Sequence, residues 1–322
     1  MANSNSDSYP WWDDRLRCTA SFSRSETDVK INTDTFKTPR SLYEYFDSKV
    51  YGCHEYKKAL STAIWTSLNL KTKTNFLVIG PSGCGKTELA RVFSKIYKNT
   101  VIFDASSVSP LSYKGNATIS QCLLDVDTSD EALPPWIFID EIDKALTKQD
   151  GLGEMIMNEL LKMIEGGKLY TGKDERSKEL IDTSRVNFVF LGTFSFLKKN
   201  RKNVIGFNSE TAEESPDAPI TRNMLYDSGA LSNEFLGRLN GGILEVEPMD
   251  EEKALNLLKD HRYSPVDHLA KEYKMQIKLT PEKQLELVRM VSKFGIRGIY
   301  SELQNRINDA LFEDCTIQTL TI

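Results

Sequence analysis

Four short apolar runs punctuate the first two thirds of the chain, at Phe76–Ile79, Val101–Phe103, Trp136–Ile139 and Val186–Leu191, and between them apolar residues recur at helical spacing. Strands alternating with helices in this way predict a parallel sheet with helices on both faces. Residues 39–70 are also spaced as helix. From Pro248 onward strong strands give out, and amphipathic helices are predicted at Glu251–Lys259, Pro265–Tyr273, Pro281–Phe294 and Gly298–Glu313. The expected class is therefore α/β, with a large domain over 36–247 and a small, mainly helical domain over 248–322. Residues 1–35, rich in Ser, Asn, Asp and Thr, read as a polar arm. Its Tyr9-Pro-Trp-Trp12 cluster suits either an apolar patch of its own domain or an adaptor. The stretch Phe207–Pro219 reads as a flexible loop.

The first apolar run continues into Gly80-Pro81-Ser82-Gly83-Cys84-Gly85-Lys86-Thr87, and Glu88 then opens a segment with helical apolar spacing. Strand, glycine loop and helix start in this order form a P-loop, whose backbone N–H groups turn inward onto phosphate. Lys86 is expected to reach the terminal phosphates and the Thr87 hydroxyl to ligate Mg²⁺. The expected ligands are ATP and Mg²⁺, with residues 81–88 around the nucleotide.

A second apolar run, Trp136-Ile-Phe-Ile, ends in Asp140-Glu141. Asp140 is expected to hold the Mg²⁺ shell and Glu141 to polarise the attacking water, because phosphoryl transfer needs both metal charge and an oriented nucleophile. Thr193 follows the last apolar run, where such sheets place a polar residue. From the residues alone it is as readily a plain strand-end threonine as a group that positions the same water.

With 322 residues the chain has room for two domains. A net charge of −5 gives no global field favouring nucleic acid, which makes protein the better expected partner. The five cysteines are scattered without a C-x-x-C pair, which argues against a zinc site or a disulfide framework and fits a reducing compartment. No apolar stretch approaches a bilayer span, so the expected location is cytoplasmic, without a membrane.

Leu42–Gly52, the P-loop, Ile139–Ala145, Asn158–Gly166, Asp182-Thr-Ser, Asn233-Glu-Phe-Leu-Gly-Arg238-Leu and Gly295-Ile-Arg297-Gly resemble, in order, the core of the ClpX and HslU branch of AAA+ protein unfoldases. The resemblance runs from about Thr38 to Glu313. It implies an AAA+ P-loop ATPase fold with a small helical lid. By the same resemblance Val50 and Tyr51 contact adenine, Arg238 is an arginine finger acting on a neighbouring subunit's γ-phosphate, and Arg297 contacts the nucleotide in its own subunit. A finger acting in trans implies an oligomer, in this family a hexameric ring. Tyr113, Lys114 and Gly115 fall where the family carries its aromatic pore loop, and an aromatic beside a glycine can grip an extended polypeptide; an ordinary tyrosine in a turn is the plainer alternative. Ile205, Gly206 and Phe207 resemble the tripeptide with which ClpX docks onto the ClpP peptidase, or else a loop folding back onto its own domain.

Some features depart from the family. Lys114 replaces its valine, residues 1–35 share nothing with the zinc-binding N-terminal domain of ClpX, the segment between Lys144 and Glu154 is short, and Lys173–Lys178 keeps only Lys173, Arg176 and Lys178 of a basic pore motif. The expectation is an ATP hydrolase that threads polypeptide substrates through a ring, delivering them to a ClpP-like peptidase. The alternatives are a free-standing remodeller without a protease, a nucleic-acid motor disfavoured by the acidic balance, and a non-hydrolysing scaffold disfavoured by the full set of catalytic residues.

Overall fold

The computed structural model describes residues 37–109, 118–149, 151–171, 179–197 and 220–322. Residues 1–36, the Tyr113, Lys114 and Gly115 loop, the Lys173–Lys178 stretch and the Ile205, Gly206 and Phe207 tripeptide lie outside the described residues.

Thr38 opens the first helix, α1 (Pro39–Asp47), with a capping box to Ser41 and Pro39 in the first turn, where its missing N–H costs nothing. There follow α2 (His54–Leu70), β1 (Asn75–Ile79), α3 (Lys86–Ile96), β2 (Thr100–Asp104), β3 (Trp136–Asp140), α4 (Ile142–Leu146) and α5 (Leu152–Glu165). A hairpin of β4 (Lys168–Thr171) and β5 (Glu179–Asp182) leads to β6 (Asn187–Gly192), α6 (Arg222–Asp227), α7 (Asn233–Gly237) and β7 (Gly242–Glu245). The C-terminal part contains α8 (Glu251–Lys259), α9 (Pro265–Glu272), β8 (Gln276–Lys278), α10 (Pro281–Glu313) and β9 (Thr319–Thr321).

Five strands form one parallel sheet in the order β2-β3-β6-β1-β7. Alternate residues of each strand feed opposite cores, as the two-residue period requires. Leu77, Ile79, Ile137, Ile139, Phe188 and Phe190 face α4, α5 and α7. Phe76, Val78, Trp136, Phe138, Val189 and Leu191 face α1, α2 and α3. Because both faces are covered, the central strands read as unbroken apolar runs. The register aligns Ile79 with Gly192 and Asp104 with Asp140, so the P-loop, Asp140 and Thr193 all emerge at the carboxyl edge. That edge, at the crevice where strand order reverses, is where open α/β sheets bind ligands.

The C-terminal helices enclose a separate core around Leu269, Leu287, Val291, Ile299 and Leu303. The helices expected at Pro281–Phe294 and Gly298–Glu313 are both present as the two arms of α10, separated by a break at Gly295 (φ 62°, ψ −165°). The part expected to lack strong strands carries a short parallel pair, Gln276–Lys278 on Thr319–Thr321.

Candidate functional site

The P-loop side chains are set out along the start of α3. Lys86 is buried, and its ammonium donates to the Gly80 carbonyl at 2.6 Å and the Pro81 carbonyl at 2.9 Å. No carboxylate pairs with it among the described residues. Cys84 Sγ lies 3.7 Å from the same ammonium, and a buried cation held by neutral acceptors alone is poorly compensated, which suits the loop to an anion. One residue on, the Thr87 hydroxyl donates to Asp140 Oδ2 at 2.6 Å, joining the helix start to the end of β3. The other oxygen, Asp140 Oδ1, accepts the Glu141 N–H at 2.9 Å. Glu141 itself sits in the left-handed region, φ 56°, unusual for a residue with a side chain. Its carboxylate pairs with Lys144 at 2.6 Å, and that hydrogen bond raises Lys144 above its ordinary value.

The opposite wall comes from the turn after α1. Val50 is buried and Tyr51 meets Tyr263 edge to face, ring centroids 5.5 Å apart. Lys57 holds this turn from below: it is fully buried, pairs with Asp47 at 2.8 Å and donates to the Val50 carbonyl. The Cys53 thiol, pushed up to about 12 by burial, stays neutral and donates to the Cys84 carbonyl at 3.0 Å. The turn and the P-loop are thus tied to each other.

The C-terminal helices close the cleft. Tyr263 donates to the Asp47 carbonyl, and His268 lies 2.8 Å from the Tyr300 hydroxyl. The break in α10 places Gly295 directly on the P-loop: a Cβ there would stand 3.0 Å from the Ser82 carbonyl oxygen and 3.1 Å from Gly83 Cα. That backbone region is essentially closed to other residues. Gly295→Ala is therefore expected to weaken ATP binding by roughly tenfold, about 1.4 kcal/mol, and to lower stability by about 1–3 kcal/mol. Nucleotide titration and thermal melting check this; wild-type values in both would contradict the contact's importance.

The resulting cleft has a volume of about 370 Å³. Of the residues expected to act together, Val50, Tyr51, Ser82, Gly83, Gly85, Lys86, Thr87, Glu88, Asp140, Glu141, Thr193 and Arg297 all line it. Pro81 and Cys84 are in the loop but not on the cleft's surface, and Cys84 borders the neighbouring pocket instead. Arg238 is also absent from the lining. Its guanidinium pairs with Glu234 at 2.8 Å and Glu165 at 3.3 Å. Sequence reasoning gave no role to Leu257, Tyr263, His268 and Tyr300, which line the cleft, or to Lys57 beneath it. Lys57 did leave a signal, since it shares the buried helical phase of Leu60, Ser61 and Ile64. The others reach the cleft only through the docking of the C-terminal helices.

A buried lysine in a glycine loop, a hydroxyl on an aspartate and a second carboxylate thus stand together at one sheet edge. The sequence profile of the AAA domain (Cdc48 subfamily) matches residues 71–241, just over half of the chain. The chain belongs to the AAA family. It is an ATPase, and its similarity extends beyond the AAA domain. The ATP-binding subunit ClpX 2 of the ATP-dependent Clp protease of Wolinella succinogenes is 26% identical over 330 residues, covering 90% of this chain and 80% of the relative. The corresponding ClpX subunit of Azotobacter vinelandii is 26% identical over 334 residues, covering 86% and 74%. That of Porphyromonas gingivalis is 26% identical over 340 residues, covering 90% and 80%. The chain is thus a ClpX-like AAA ATPase. Among the described residues, no helix of this AAA chain is long and apolar enough to cross a membrane.

Proposed function

We propose that the chain is a ring-forming unfoldase, in which ATP hydrolysis drives polypeptides through a central pore towards a ClpP-like peptidase. The observation that carries this reading is the cleft's construction. One wall is the P-loop and sheet edge, the other the C-terminal helices with Arg297, and the two meet at Gly295. A change at the γ-phosphate would then alter how one body sits on the other, which is the coupling a mechanical ATPase requires. In this reading 36–247 is the motor domain, 248–322 the lid and 1–35 an arm; the assembly is a hexamer and works in the cytoplasm.

The oxygens of Thr87 and Asp140 are hard ligands suited to Mg²⁺. Those two residues would hold it, and bound Mg²⁺ would neutralise the phosphates' charge. Lys86 and Arg297 bind the triphosphate, Val50 and Tyr51 flank adenine, and Glu141 and Thr193 orient the attacking water. Arg238, off the cleft of its own subunit, serves the next one. Tyr113, Lys114 and Gly115 grip substrate, while Ile205, Gly206 and Phe207 dock the peptidase.

Phe207→Ala tests the peptidase assignment. The variant is expected to unfold a tagged fluorescent protein as wild type does, yet to support no degradation when ClpP is added, because the apolar anchor is lost. Degradation at the wild-type rate would contradict docking through Phe207. Unfolding without degradation by either protein would favour a free-standing remodeller.

A further inference from the structure

Asp143 lies in the first turn of α4, is only 6% exposed and still borders the cleft. Its Oδ2 accepts two hydrogen bonds, from the Thr193 hydroxyl at 2.7 Å and from the Phe194 N–H at 3.1 Å. Its Oδ1 is buried with no partner among the described residues. The segment that presents Thr193 is tightly constrained. Phe194 takes φ 46°, and a Cβ on Gly192 would stand 2.5 Å from the Phe194 ring and 3.0 Å from Asp143 Oδ1. A strained backbone clamped by a buried carboxylate beside a triphosphate cleft calls for a functional account.

A threonine hydroxyl has one hydrogen to donate and two lone pairs to accept with. The Phe194 N–H on the same oxygen marks Asp143 Oδ2 as an acceptor, so the hydrogen between Asp143 and Thr193 belongs to the hydroxyl. That hydrogen is spent, and Thr193 offers the cleft only lone pairs. Phosphate oxygens are themselves acceptors and gain nothing from it. A water molecule does, because it has two hydrogens to place. We propose that Asp143 is a positioning residue for hydrolysis: by taking the hydroxyl hydrogen it makes Thr193 an acceptor for the attacking water. With one water hydrogen on Glu141 and the other on Thr193, a lone pair of the water oxygen is left to face the γ-phosphorus.

The proposal rests on the reading of this cleft as the hydrolytic site with Glu141 at the water. Four variants and one double variant test it, each assayed for kcat, KM and binding of a fluorescent ATP analogue. Asp143→Ala and Thr193→Val are each expected to lower kcat by roughly 10²-fold, the scale of one lost transition-state hydrogen bond, with analogue binding retained. The double variant Asp143→Ala/Thr193→Val is expected to turn over no more slowly than Thr193→Val alone, since Asp143 acts through Thr193. Asp143→Asn keeps a carbonyl oxygen for both donors and is expected to retain most of its turnover, as is Thr193→Ser, which keeps the hydroxyl. Losses that multiply in the double variant, or an Asp143→Asn enzyme as slow as Asp143→Ala, would overturn the proposal. If Asp143→Ala does not fold, a wild-type kcat in Thr193→Val or a hundredfold loss in Asp143→Asn overturns it alone. Glu141→Gln assayed alongside separates the two levels. If it is inactive while Asp143→Ala keeps wild-type kcat, the Asp143 proposal fails by itself; if all these variants turn over normally, the reading of the cleft fails.

Discussion

Glu141→Gln is expected to bind ATP with wild-type affinity and to hydrolyse it about 10²- to 10⁴-fold more slowly, the usual range for loss of a positioned proton acceptor. In the proposed site nucleotide is held by Lys86, Thr87 and Arg297, which line the same cleft, so affinity should not depend on this carboxylate. The amide preserves size and the backbone geometry at φ 56°, but loses the charge that orients water and that pairs with Lys144 in the ground state. Steady-state phosphate release and analogue binding, measured on the same preparation, decide the matter. Turnover near the wild-type rate would remove Glu141 from the mechanism.

The second large effect is expected at Arg238. Arg238→Ala should leave ATP affinity within about twofold of wild type but reduce hydrolysis by about 10³-fold, the lower end of what an arginine finger contributes. The physical basis is its position: the guanidinium is engaged by Glu234 and Glu165 and does not line its own subunit's cleft. A guanidinium is a permanent cation, and in the proposed ring it would leave Glu234 and Glu165 for a neighbour's phosphate. Mixing Arg238→Ala with Lys86→Ala subunits should restore part of the activity, because one supplies the finger and the other the nucleotide-binding cleft. Mixed rings without any recovery would contradict a finger acting in trans.

How much of this was legible in the sequence depended on whether a feature is contiguous. The P-loop and Asp140-Glu141 are single runs, and each places its chemistry by local geometry alone. The three strands buried on both faces, β1, β3 and β6, and the half-buried β2 announced themselves as apolar runs, with ends within a residue or so of those observed. β4, β5, β8 and β9 did not, because their residues are largely exposed and carry no continuous apolar signal. The break in α10 was legible as the gap between two predicted helices, but nothing in the sequence says that its glycine rests on Gly83, some two hundred residues earlier. Lys57 and Asp143 act through partners brought by tertiary packing: a lysine on Asp47 and the Val50 carbonyl, an aspartate on Thr193 and Phe194. For Thr193 the sequence offered two readings of equal standing. The 2.7 Å bond to Asp143 at the cleft wall is the observation on which its proposed role in positioning water rests.

The central claim is that hydrolysis in this cleft pulls polypeptide through a pore. Its most direct test is Tyr113→Ala, assayed for ATP hydrolysis and for loss of fluorescence from a folded reporter carrying a long unstructured tail. The variant is expected to hydrolyse ATP at a rate close to wild type, since the cleft residues are untouched, while unfolding of the reporter is lost with the aromatic grip. A Tyr113→Ala protein that unfolds the reporter as fast as wild type would contradict threading by this loop.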